Sequence, residues 1–138
     1  NETDAPAGLK AALATGNRVQ EIHMEEMKIG RTGNQVLAAV LERCSAENIN
    51  AMIYSHPLGY HGHAAGPTIG LWDRQDGVAG RGDYPLYDKT CYSIELNITQ
   101  TIPEWGDRSV RIMLEEDAVL DSTMRWLSGR QLNLHLVV

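Results

Sequence analysis

The sequence predicts an α/β (α+β) domain, two helices followed by a mainly antiparallel sheet, on three observations. Apolar residues recur twice at helical spacing in the first third of the chain, and the second run opens with Thr32-Gly33-Asn34-Gln35, a capping box. Residues 91–99 then alternate, Tyr92, Ile94, Leu96 and Ile98 on one face and Ser93, Glu95, Asn97 and Thr99 on the other. A second extended run, 110–120, follows across a short turn, and strands joined by such a turn pair antiparallel.

The elements follow in order. Asp4 is placed to cap the first helix and Pro6 falls near its first turn, where a missing N–H does no harm. Leu9, Ala12, Leu13, Val19, Ile22 and Met27 form its apolar stripe, with Gln20, Glu21, Glu25 and Glu26 on other faces, and Gly30 ends it. Val36, Leu37, Val40, Leu41 and Cys44 make the stripe of the second helix. Ala51-Met52-Ile53-Tyr54 is a short strand, and residues 56–90, rich in glycine and proline, form the long irregular excursion that usually carries function. After the turn at Ile102 to Asp107, period two puts Glu116 with Val110, Ile112 and Leu114, and Glu115 with Arg111 and Met113. A carboxylate in line with three aliphatics needs a partner or a metal, because a buried unpaired charge is costly. The tail, 132–138, alternates weakly and reads as a final strand.

At 138 residues the chain is a single domain, 1–138, and its 43% hydrophobic and 22% charged content is ordinary for a globular protein. A net charge of −6 without a Lys/Arg cluster argues against nucleic acid and against anionic membrane as partners. No apolar run reaches the roughly 18 residues of a membrane span, so a soluble chain is expected, with cytoplasm and periplasm both left open. Cys44 and Cys91 read as two buried thiols. The chain starts at Asn1 without an initiator methionine, which suggests a processed product or a piece of something longer. Arg81-Gly82-Asp83 and the Asn-x-Thr triplets at Asn1 and Asn97 are patterns that chance supplies readily.

Chemistry concentrates in Ser55-His56-Pro57-Leu58-Gly59-Tyr60-His61-Gly62-His63-Ala64-Ala65-Gly66-Pro67. Three of the five histidines fall in this stretch, interleaved with glycines that let the backbone pass close to whatever the imidazoles hold. His23 and His135, each alone, read as hydrogen-bonded structural residues. A histidine loop after one strand, Glu95 inside a second and Glu116 inside a third make a ligand set suited to divalent first-row metals. The competing reading pairs Glu95 and Glu116 with Arg108 or Arg111 in a structural network.

At these residues the chain resembles the pita-bread metallopeptidases, a family of Xaa-Pro aminopeptidase, prolidase, methionine aminopeptidase and the non-peptidase creatinase. Gly62-His63-Ala64-Ala65-Gly66 matches the G-H-x-x-G of the metal histidine, Ile94-Glu95-Leu96-Asn97 resembles the strand of the first metal glutamate, and Glu116-Asp117-Ala118-Val119-Leu120 resembles the E-D-x-V-L of the second. Order and spacing agree, and the two predicted helices look like the pair before the histidine strand. Two motifs depart from the pattern: Leu96-Asn97 stands for the usual proline-glycine, and Gly70-Leu71-Trp72-Asp73 lacks the family's downstream substrate histidine.

The resemblance implies the C-terminal half of a pita-bread fold with a curved sheet, and His63, Glu95 and Glu116 as metal ligands. It implies His56 as the catalytic histidine that contacts substrate and stabilises the oxyanion, with His61 its rival for substrate binding, and Glu116 or Glu95 as the base toward water. The cofactors would be two divalent ions, Mn, Co, Zn or Fe, and the substrate a peptide cleaved at its N-terminal bond, with Xaa-Pro favoured. Two aspartate ligands of the family precede the first helix, where this chain offers only Asp4, so the expected partner is a missing N-terminal part of the same domain. Without that part the chain is expected to bind metal weakly or not at all and to be inactive. A homo-oligomer, a non-catalytic peptide-binding module and a creatinase-like amide hydrolase stay open beside this reading.

Overall fold

Two helices lie against one face of a curved antiparallel sheet in the structure, a computed structural model that describes residues 4–137. Helix α1 spans Ala7–Glu26 and α2 spans Gly33–Ala46. The strands are β1 (Ala51–Ile53), β2 (His56–Pro57), β3 (Thr90–Ile102), β4 (Arg108–Asp121) and β5 (Thr123–Trp126). The order is β1-β3-β4-β5, and β2 adds to β3 on the same edge as β1. β3 is therefore the hub, paired along its whole length with β4.

The alternation read in β3 is the alternation that builds the core. Tyr92, Ile94, Leu96 and Ile98 are fully buried with Val19 and Ile22 of α1 and Val36, Leu37 and Val40 of α2. Each such side chain contributes roughly 1.5–3 kcal/mol by leaving water. The opposite face of β3 is left for polar residues, and the site forms there.

The capping box of α2 forms as expected, Thr32 Oγ1 accepting from the Gln35 N–H and the Gln35 side chain accepting from the Thr32 N–H. The start of α1 differs. Pro6 occupies the cap position, while Asp4 bonds Ala5 and Lys10. Glu104, from the β3–β4 turn, instead accepts the Gly8 N–H at 2.9 Å, so a carboxylate distant in sequence satisfies an orphan donor and sits against the positive end of the helix. α1 also stops short of Gly30, at the Met27 cap.

The expected final strand at 132–138 is not found at 132–137, and Val138 lies outside the described residues. The last strand is β5, folded back from β4 at Ser122, whose φ of 62° makes the turn. The tail is pinned by side chains rather than by a sheet: Asn17 donates to the Gln131 carbonyl, and Arg130 donates to the Asn17 carbonyl and pairs with Glu21. Cys44 is buried and Cys91 partly so, both as free thiols. Of the two isolated histidines, His23 is fully buried and His135 is exposed.

Candidate functional site

The sheet face turned away from the helices carries the chemistry. Antiparallel register sets Glu95 opposite Glu115 and Ser93 opposite Asp117, so these four side chains share that face. β2 lies alongside and brings His56 opposite Ser93. His56, Glu95 and Glu115 each place a ligand atom within 4.8 Å of the other two.

Glu116, expected at the metal, does not join them. It opposes Ile94 and so points to the helix side, where it accepts from the Gln20 amide of α1 and from the Gln131 N–H at 2.9 Å. The reason is the period of two: adjacent residues of one strand cannot serve one face. The partner that a carboxylate in an aliphatic row requires is therefore an amide pair. Neither Arg108 nor Arg111 forms an ion pair with Glu95 or Glu116 among the described residues, which removes the competing structural network.

The two imidazoles lie together. His56 and His63 stack with ring centroids 3.9 Å apart and planes 15° from parallel. Nδ1 of His56 lies 3.0 Å from the Pro57 carbonyl, and Nε2 lies 3.7 Å from Glu95 Oε2. An N–H at Nδ1 directed to a backbone carbonyl leaves Nε2 with its lone pair toward the carboxylates, the tautomer a metal ligand needs. His63 is exposed on the cleft side of the stack. His61 is elsewhere, exposed and edge-on to Tyr60 at the loop tip, outside the cleft lining.

Glycines make this loop possible at two positions. A Cβ on Gly59 would stand 2.6 Å from the His63 carbonyl oxygen, and Gly62 has φ of 90°, which L side chains rarely adopt. The resulting turn, closed by Gly62 N–H to Gly59 O and Ala64 N–H to Pro57 O, folds His63 back over His56.

The carboxylates repel one another. Burial first, and then the neighbouring charge of Glu115, push the Glu95 carboxyl above its usual range, while His56 and His63 oppose the shift. Glu115 accepts a bond from Ser93 Oγ at 2.8 Å. Neither glutamate is ion-paired with a lysine or arginine among the described residues. Two crowded carboxylates beside a correctly turned imidazole, without a protein cation between them, fit a divalent metal.

The cleft above has a volume of about 950 Å3. One wall is the sheet, through Tyr54, Asn97, Arg111 and Met113; the other is the excursion, through Leu71, Trp72 and Tyr84. Trp72 is 74% exposed, an apolar surface offered to whatever enters. Sequence reasoning missed Glu115 and Ser93. The readable signal was that Glu95 and Glu115 stand equally far from Trp105 at the centre of the β3–β4 turn, which makes them cross-strand partners.

No protein-family model and no curated protein matches this chain. Among solved structures, it is similar to an X-Pro aminopeptidase from Thermotoga maritima MSB8, with TM-score 0.64 and 22% identity over 97% of this chain and 35% of that one. A dipeptidase PepE from Mycobacterium ulcerans gives 0.60 and 21% over 95% and 32%. A methionine aminopeptidase from Rickettsia prowazekii gives 0.63 and 16% over 89% and 53%. The chain thus spans about a third to a half of the length of these enzymes. With two helices on a curved antiparallel sheet and these proteins as its structural neighbours, the chain has the pita-bread fold, in the part that corresponds to a C-terminal half.

Proposed function

We propose that this chain supplies the histidine and glutamate ligands of a metal-dependent aminopeptidase or dipeptidase that hydrolyses an N-terminal peptide bond, Xaa-Pro being the favoured substrate. The observation that carries the reading is the convergence of His56, Glu95 and Glu115 within 4.8 Å on a cleft-lining face. In this reading those three residues hold the divalent ion. Such an ion would supply polarisation of the scissile carbonyl and a water acidic enough to attack near neutral pH.

The remaining roles belong to the chain's own groups. His63, stacked on His56 and open to the cleft, is placed to donate a hydrogen bond to a substrate carbonyl oxygen. The two imidazoles thereby exchange the roles expected from the motif. Glu95, already disposed to take up a proton, is the candidate base. Leu71, Trp72 and Tyr84 would receive apolar substrate groups.

A dinuclear centre needs ligands this chain lacks, and the reading assigns them to a complementary N-terminal part. The face for it is the outer edge of β4: β5 covers only 118–121, so the edge of 108–116 away from β3 has no strand beside it among the described residues. A second reading, a groove that binds peptide without cleaving it, is favoured by the exposed Trp72 where the family's substrate histidine would lie nearby.

The test is a Co2+ titration of the chain followed by visible absorption. Glu95→Ala, Glu115→Ala and His56→Ala each lose binding at least tenfold, whereas Glu116→Gln retains it. Binding kept by E115A and lost by E116Q would return the second carboxylate to Glu116 and sink this ligand set. For the complete domain, turnover of Xaa-Pro dipeptides against creatine-like amides and bare peptide binding separates the three activities.

A further inference from the structure

Between β1 and β2 the chain has to leave β3, and it does so beside Glu95. β1 pairs with residues 96–98 of β3 and β2 pairs with 92 and 93. At the gap, the Tyr54 N–H still donates to the Glu95 carbonyl at 3.0 Å. Ser55 then turns its own backbone away, exchanging N–H and carbonyl bonds with Ile69 at 3.0 and 2.9 Å. The Glu95 N–H is left without a strand partner on that edge.

The Ser55 hydroxyl takes the missing strand's place. Its Oγ accepts from the Glu95 N–H at 2.9 Å and donates to the Glu95 carbonyl at 3.1 Å. His23 Nδ1 lies 3.5 Å from the same oxygen, and His23 Nε2 has no partner. The assignment that wastes least puts the proton on Nδ1, donating to Oγ, because a bare ring nitrogen is cheaper to bury than an unpaired N–H. A hydroxyl offers one donor and two lone pairs, and here all three are used. Ser55 and His23 are both fully buried, so water cannot substitute for either.

The geometry points to Ser55 as a positioning residue for the candidate metal centre: its hydroxyl, steadied by His23, fixes the Glu95 backbone so that the carboxylate faces Glu115 and His56. Ser55 also directly precedes His56, so one residue sets the reach of two ligands from neighbouring strands. The inference rests on the proposed metal site, and it adds a supporting residue that none of the motifs contains. Ligand sets of this kind depend on such supports, whose loss typically weakens metal binding by about tenfold to a hundredfold.

The experiment compares the wild-type chain with Ser55→Ala, Ser55→Thr and Val40→Ala, the last being a core truncation in α2 that lowers stability while leaving the hydrogen bonds between Ser55 and Glu95 in place. Each is titrated with Co2+, and amide hydrogen exchange is read residue by residue. The expected result is a tenfold to hundredfold loss of Co2+ affinity in S55A together with faster exchange at the Glu95 amide. S55T, which keeps the hydroxyl, recovers most of both, and V40A shows neither effect. Affinity in S55A within twofold of wild type, or a Glu95 amide as protected as before, overturns the assignment. Should the wild-type chain alone bind no Co2+, the affinity comparison is read in the complete domain, and Glu95 exchange in S55A decides for or against Ser55.

Discussion

Neighbouring glutamates in β4 have opposite surroundings because a strand turns consecutive side chains to opposite faces. Glu115 stands beside Glu95 on the outer face and accepts from Ser93, and Glu116 joins α1 to the tail through Gln20 and Gln131. Removing the latter leaves two donors behind it unsatisfied, so Glu116→Ala should cost about 1–3 kcal/mol of unfolding free energy in urea melts. His23 makes a different prediction. Burial alone pushes its pKa down to about 3, whereas in the unfolded chain it titrates near about 6.5. The unfolded state then binds the extra proton, so the stability is whole above about pH 6.5 and declines as pH falls toward 3, by about 1.4 kcal/mol per unit. Between about pH 6.5 and 5, urea midpoints should fall more steeply in the wild type than in His23→Gln. A flat wild-type profile would mean that the imidazole is not held neutral.

At the scale of elements, what could be read from the chain was what depends on local pattern. The period of 3.6 placed both helices, Thr32 with Gln35 placed the start of the second, and the alternation of 91–99 placed β3 with the correct face inward. What could not be read depends on contacts between distant segments. The donor that opens α1 is answered by Glu104, 96 residues away, and no local pattern announces that. The tail alternates like a strand, yet it lies where Asn17 and Glu116 hold Gln131. Motif likeness chose Glu116 over Glu115, and hairpin register chose the reverse, because a turn's length fixes which residues face each other. β3 is central to all of this, with strands on both edges and a helix on one face. Leu96→Ala, at its middle and fully buried, should therefore cost about 2–5 kcal/mol, whereas Thr32→Ala at the α2 cap should cost about 1. Equal losses in chemical denaturation would deny β3 its central place.

For the whole molecule the open question is the edge that β4 leaves bare. A strand with unpaired N–H and carbonyl groups is a template for another strand, and natural edges are usually blunted by charge or cover. Here the run Arg111-Ile112-Met113-Leu114-Glu115, whose Arg111, Met113 and Glu115 are exposed, is self-complementary: two copies paired antiparallel about Met113 would set each Arg111 opposite the partner copy's Glu115. Met113, 66% exposed, would then pack against its own symmetry mate. Such a pair occupies the same edge that the proposed N-terminal complement would use, so a dimer of the lone chain and a complete catalytic domain exclude each other. The chain alone should accordingly dimerise with rising concentration, more weakly at high salt because Arg111 and Glu115 are exposed and their attraction is screened. Met113→Lys, which puts two like charges together at the axis, should return it to monomer with little change in melting temperature. Light scattering across a concentration series decides the matter: a wild-type chain that stays monomeric throughout, or a M113K variant that dimerises as well as wild type, excludes pairing along this edge.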